Sequence, residues 1–297
     1  MKPRHDIYQT ITAELAAAID AGAGQWRMPW HHTGGTVMRP SSAVGRAYTG
    51  INRLVLWASA DAKGFKSGTW ATYRQWTDVG AQVRRGETGT HVILWKRHER
   101  DDQSPVDGEN DDRSARFFAR SFVVFNQSQV DGAPERAAAV SRPIAETVAG
   151  AKAYLESIGV AVHYGPWDAY YRPDQDRVCM PEREIFDSDD DFISTLGHEI
   201  VHSTGSALRL ARETLRDYFK DRSIRAREEL VAEIGASFLM ADLGLAYSPR
   251  PDHAAYVSSW LSTLGNDTRA IFRAAAAAQA ATDWIHAHAA SALPMAA

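Results

Sequence analysis

The sequence predicts a two-domain α+β protein: a mixed α/β half over residues 1–130 and a mostly helical half with a small sheet over 143–297, joined by a linker at 131–142. Three observations predict it. Charge is uneven, since residues 1–142 hold 19 Lys and Arg against 15 Asp and Glu (+4) while 143–297 hold 14 against 22 (−8), which sum to the formal −4. Six of the nine tryptophans lie before residue 98. The run Asp131-Gly132-Ala133-Pro134, continuing through alanines to Arg142-Pro143, breaks the apolar periodicity as an interdomain connection does.

At 297 residues with 44% hydrophobic content, the chain can bury a real core. It begins with an amphipathic helix carrying Ile7, Ile11, Leu15 and Ile19 at helical spacing, with no apolar signal core before it. No run of 18 apolar residues occurs, so a soluble, cytoplasmic protein without a membrane partner is expected. The single cysteine, Cys179, fits a reducing compartment; it excludes an intramolecular disulfide and has no partner for a Cys-x-x-Cys zinc site.

The first half is basic and aromatic. Omitting the acidic stretch, residues 1–97 hold 13 basic and 6 acidic side chains. Arg46, Arg53, Arg74, Arg84 and Arg85 alternate with aromatics such as Trp57, Trp70 and Trp76. Cations that track phosphates beside rings that stack on bases are what single-stranded nucleic acid binding needs, and these arginines with Trp76 are the candidate DNA contacts. The competing reading places the tryptophans in the core. Arg84-Arg85-Gly86-Glu87 forms a basic turn before a strand at His91–Trp95, and a second strand at Arg116–Phe125 pairs with it across an exposed acidic loop at 99–113.

In the second half, strands are expected at Val160–Tyr164 and Asp176–Met180, the latter an edge along which an extended substrate could lie. Ser188 then caps a helix whose first turn is acidic and whose apolar positions, Phe192, Ile193, Leu196, Ile200 and Val201, recur at helical spacing, with Gly205 as the stop. Within it lies His198-Glu199-Ile200-Val201-His202. Two imidazoles four apart present their nitrogens to one metal ion, and Glu199 stands beside them as a general base. That is the zincin pattern for metal-assisted peptide hydrolysis.

A third ligand is expected from the next helix. Glu229 and Glu233 share one of its faces beside the apolar stripe Leu230, Ile234, Phe238 and Ala241, and two carboxylates on a largely apolar helix need a positive partner. The economical assignment makes Glu229 the ligand and puts Glu233 behind it, holding a histidine N–H; the competing reading is a solvated face with Glu228 and Arg227 outward, and the two glutamates could also exchange roles. Zinc suits this donor set, with manganese or cobalt as substitutes. Tyr256, His253 and Tyr218 are candidate oxyanion donors. The alanine-rich tail from 270 reads as a packing helix with His286 and His288 facing solvent.

Tyr48-Thr49-Gly50-Ile51-Asn52-Arg53, Trp70-Ala71-Thr72-Tyr73-Arg74-Gln75-Trp76, Val83-Arg84-Arg85-Gly86-Glu87 and Val92-Ile93-Leu94-Trp95, in that order, resemble the N-terminal domain of ArdC-type antirestriction proteins of conjugative plasmids. Met180-Pro181, Phe186, the run from His198 to Leu210, and Glu228 to Leu239 are similar to that family's zincin-like domain. The resemblance implies a single-stranded-DNA-binding domain joined to a metallopeptidase-like one, in a protein that protects incoming plasmid DNA from host restriction. It also implies an unidentified protein substrate, such as a host restriction-related protein. The alternative is a DNA-binding shield whose metal site is structural or regulatory. A metal-dependent nuclease fits poorly, because one His₂Glu site lacks the clustered aspartates of two-metal phosphodiester chemistry.

Overall fold

The computed structural model describes residues 6–23, 39–97, 117–134, 147–247 and 257–289. The acidic loop at 99–113, all but the first residues of the expected linker, and Tyr256 with His253 lie outside them. Among the described residues no helix is long and apolar enough to cross a membrane.

The N-terminal half runs α1 (Ile7–Ala23), β1 (Ser41–Ser42), α2 (Ile51–Lys63), β2 (Thr69–Ala71), α3 (Tyr73–Asp78), β3 (Gln82–Val83), β4 (Thr90–Arg97), β5 (Phe117–Asn126) and β6 (Val130–Asp131). Its main sheet has the order β1-β2-β5-β4, with β4 and β5 antiparallel from Thr90↔Val124 to Arg97↔Phe117, the pairing expected across the acidic loop. The pleat sends Val92 and Val124 inward while His91 and Val123 face solvent. Thr72 caps α3 in a full capping box with Gln75.

The C-terminal half contributes α4 (Val148–Glu156), β7 (Ala161–Gly165), β8 (Tyr170–Arg172), β9 (Arg177–Pro181), α5 (Asp189–Thr204), α6 (Glu213–Arg216), α7 (Arg222–Leu243), α8 (Val257–Asn266) and α9 (Ala270–Ala289). The sheet order is β7-β9-β8. This corrects the expected edge: the strand at 177–181 is central because it pairs parallel to β7 on one side and antiparallel to β8 on the other, and β8 is an edge. Cys179 is buried in β9, as expected.

The two halves share a core. Ile11, Leu15 and Ile19 of α1 and Leu54, Val55 and Trp57 of α2 lie in one cluster with Leu230, Ile234 and Phe238 of α7 and Ile271 and Ala275 of α9. A second cluster, under α5, joins β9, α4, the other side of α7 and the end of α9. Helix α7 is therefore packed between both clusters, and every residue from Glu228 to Leu243 is buried. Gly244 ends it in the left-handed region at φ 77°, where glycine costs least.

Candidate metal centre

Helix α5 starts where the sequence expects it. The hydroxyl of Ser188 accepts from the Asp191 N–H at 3.1 Å, and Asp189, Asp190 and Asp191 sit at the positive end of the helix dipole. It stops at Gly205 for a reason other than backbone freedom: φ there is −77°, and a Cβ would meet the Arg212 guanidinium at 2.8 Å. Helices α5 and α7 approach closely through glycine as well. A Cβ at Gly197 would lie 2.9 Å from Met240 Cε, and one at Gly235 would lie 2.8 Å from Val201 Cγ1. This contact sets the histidines of α5 against the glutamates of α7.

The three expected ligands converge. The Nε2 atoms of His198 and His202 are 3.1 Å apart, and Glu229 Oε2 lies 3.2 Å from the first and 3.6 Å from the second. Donors about 2.0–2.1 Å from one tetrahedral ion would be about 3.3 Å apart, so this triangle has the size a zinc-type ion requires. His198, His202 and Glu229 are all buried and form a group able to hold a metal ion.

The outer nitrogens of both rings face carboxylates. Glu233 Oε2 lies behind the ligands, 3.8 Å from His198 Nδ1, which is too far for the hydrogen bond expected of it. Glu228 is fully buried rather than outward, with Oε1 3.2 Å from His202 Nδ1. It accepts from Arg212 Nη2 at 2.6 Å and from the Thr214 hydroxyl, while Arg212 also donates to Thr204 Oγ1 and the Val201 carbonyl at the end of α5. The Tyr218 hydroxyl donates to Glu229 Oε1.

Electrostatics agree with a cation site. Burial alone would lower the His202 pKa, but Glu229, Glu228 and Glu199 overrule it and raise it to about 10. Burial would raise Glu228, yet Arg212 and His202 bring it down to about 2, and Glu229 is held well below its usual range by His202 and His198. These carboxylates demand positive charge between them, which a divalent ion on neutral imidazoles supplies.

The triangle faces a cavity of about 580 Å³ that also reaches Glu199. One wall is formed by β8 and the turn to Asp174, the other by Leu215, Tyr218, Phe219 and Arg225. Of the oxyanion candidates, Tyr218 is thus in the site, while Tyr256 and His253 are outside the described residues. His286 does not simply face solvent: its Nε2 is 3.1 Å from Asp242 Oδ2 and its Nδ1 2.7 Å from the Tyr154 hydroxyl.

Two of the expected DNA contacts are corrected. Arg53 is fully buried in an ion pair with Asp242 at 2.8 Å, its guanidinium lying over Trp57 and Phe238. Trp76 is buried, with its indole N–H donating to the Phe125 carbonyl at 3.1 Å. Trp57 and Trp70 are core as well. Arg46, Arg74 and Arg85 are exposed, whereas Arg84 is engaged by Glu87 and Asp131. Beside Arg74 the exposed aromatic is Tyr73, which the sequence did not single out among so many tryptophans.

Comparison with known proteins extends these observations. A family model described as a zincin-like metallopeptidase matches residues 149–277, and one for the N-terminal domain of anti-restriction factor ArdC matches residues 5–125. The y4eC protein of Sinorhizobium fredii is 43% identical over 285 residues, covering 95% of this chain and 92% of that one. The Escherichia coli DNA primases TraC are 34% and 35% identical, and the chain spans only 20% and 27% of their length. Crystal structures of the antirestriction protein ArdC from plasmid R388 superpose with TM-scores of 0.80 (metal-free) and 0.78 (Mn(II)-bound) at 36% identity, covering 97% and 96% of this chain and 100% and 98% of those. Matched over nearly its whole length in both sequence and fold, the chain belongs to the ArdC antirestriction family.

Proposed function

We propose that this protein protects incoming plasmid DNA from restriction by combining single-stranded DNA binding in its N-terminal half with metal-dependent peptide hydrolysis at His198, His202 and Glu229. The observation that carries the hydrolytic reading is that, among the described residues, the donor triangle opens onto a cavity that Glu199 also lines. A structural centre would close its fourth position with a protein ligand.

A divalent cation here, zinc first with manganese or cobalt as substitutes, would supply Lewis acidity toward a water and a scissile carbonyl. Glu199 removes the proton from the attacking water and delivers it to the leaving amine. Glu228 fixes the ring orientation of His202 from behind, and Glu233 sets a negative charge 3.8 Å from His198 Nδ1. Tyr218, at the cavity wall, would serve the developing oxyanion only by turning its hydroxyl away from Glu229 Oε1. Among the described residues β8 is an edge strand, along which an extended peptide can lie, the role expected of β9 from its sequence.

On the DNA side, exposed Arg46, Arg74 and Arg85 supply phosphate contacts and Tyr73 a stacking face. The name of the R388 relative supports the antirestriction role, and the primase relatives support an action on DNA. The deciding experiment incubates the metal-loaded full chain and its Glu199→Gln variant with a degenerate peptide mixture and reads products by mass spectrometry. Cleavage by the wild type alone is expected. Failure of both to cleave while loaded with metal would leave a DNA-binding shield as the function.

A further inference from the structure

The cavity contains one cation that its surroundings do not explain. Nearby arginines are matched with carboxylates: Arg172 with Asp174, Arg209 with Asp176, Arg212 with Glu228 and Arg216 with Asp217. Arg225 lines the same cavity and forms no ion pair among the described residues. Its guanidinium carbon lies 5.1 Å from the centre of the Tyr218 ring and 5.9 Å from that of Phe219, and its Nε is shut off from solvent without a hydrogen-bond partner. Two aromatic rings beside the guanidinium lessen its contact with water, which raises what an incoming anion gains by meeting it.

Its place relative to the metal centre is set by α7. Arg225 precedes Glu229 by four residues and so shares its face, about 6 Å away along the axis. Tyr218 connects the two, with its ring under Arg225 and its hydroxyl on Glu229. That interval corresponds to one or two residues of extended peptide at about 3.3 Å each.

We propose that Arg225 is a carboxylate-binding subsite, so that the preferred substrate carries an acidic group beside the bond to be cut. The inference rests on the peptidase reading above and narrows its substrate class. The carboxylate can belong to an Asp or Glu side chain or to a free chain end, since the fork recognises both alike.

The test uses the Mn(II)-loaded full chain and peptides carrying a hydroxamate at their N-terminal end, whose residue next to the hydroxamate is Glu or Gln, each with a free or amidated C-terminus. Calorimetry gives dissociation constants, and elemental analysis gives metal content. At least a tenfold preference for Glu over Gln identifies a side-chain subsite; the same preference for free acid over amide identifies a chain-end subsite. Arg225→Gln is expected to abolish the preference at unchanged metal content, and Arg225→Lys to keep part of it. A preference absent from the wild type, or one that survives in Arg225→Gln, overturns the inference, as does displacement of the hydroxamates by a single-stranded oligonucleotide only when Arg225 is present. If no hydroxamate binds the loaded protein, the peptidase reading itself falls, and that result differs from binding without preference.

Discussion

Glu228 links the metal centre to the backbone that follows it, because one carboxylate meets His202 Nδ1 and the Arg212 guanidinium, which in turn reaches the last carbonyls of α5. Glu228→Gln keeps the shape and removes the charge, so metal affinity is expected to fall about 10- to 100-fold, the usual effect of losing such an outer partner. Chelator competition measures it, and unchanged affinity would mean that His202 is oriented without Glu228. At the ligands themselves, His198→Ala and His202→Ala are expected to lose the metal and Glu229→Ala to bind it weakly, while Glu199→Gln keeps the metal and loses hydrolysis. Metal retained by Glu229→Ala but lost by Glu233→Ala would exchange the two glutamates' roles. His198, Glu199 and His202 are readable in the sequence because they lie within little more than one helical turn, where spacing alone sets geometry. Arg225 is not, since its stacking on Tyr218 and Phe219 depends on how a loop folds back over α7.

At the level of elements, the site depends on how closely α5 and α7 approach. Gly235→Ala would place a methyl 2.8 Å from Val201 Cγ1, on a β-branched side chain that cannot swing away. The better helix propensity of alanine is worth about 1 kcal/mol, but pushing two packed helices apart costs about 1–3 kcal/mol. Lower stability is expected in denaturant titration, together with weaker metal binding, because His202 adjoins Val201 on one helix while Glu229 is on the other. A variant as stable and as metal-retentive as wild type would show that the helices can separate without moving the ligands. Helix α7 also explains what pattern reading misses. The competing reading, with Glu228 outward, assumes a solvent face, yet α7 is covered on both sides from Glu228 onward, by the core shared with α1 and α2 and by the core under α5. The strand at 177–181 is legible, but its central place is not, because the three residues of β8 are too short to announce a strand.

For the molecule as a whole, composition separates the halves by charge, but it does not report which side chains are buried. Arg53 has the sequence context of a DNA contact; its partner Asp242 is 189 positions away, beyond any local pattern. Burial would raise the Asp242 pKa, but Arg53, His286 and Arg39 overrule it and hold it below the usual value. This contribution to stability is fully present above the unfolded carboxylate value of about 3.9 and is lost as pH falls through the lower folded one. Asp242→Asn is therefore expected to cost about 3 kcal/mol or more at neutral pH, by leaving Arg53 buried without its counter-charge, and to flatten the acid limb of the stability profile below about pH 4. A cost confined to a few tenths of a kcal/mol would show that the Phe238 carbonyl, which also accepts from Arg53, holds this junction without Asp242. Because the halves share one core, DNA binding is best tested on the intact chain rather than on a fragment. With a net charge of −4, attraction to phosphate must come from a local surface, and Arg46, Arg74 and Arg85 are exposed cations of the N-terminal half. The full chain is expected to prefer single strands to duplex, since stacking needs unpaired bases, and replacing those three arginines with alanine should reduce the salt slope by about 0.7 for each phosphate no longer neutralised. Tyr73→Ala should weaken binding by about 1–3 kcal/mol without changing that slope, because stacking releases no counterions. Trp76→Ala, by contrast, should lower stability, since it empties a core position. Equal affinity for duplex and single strand, or a slope unmoved by the triple substitution, would place the DNA surface elsewhere on the molecule.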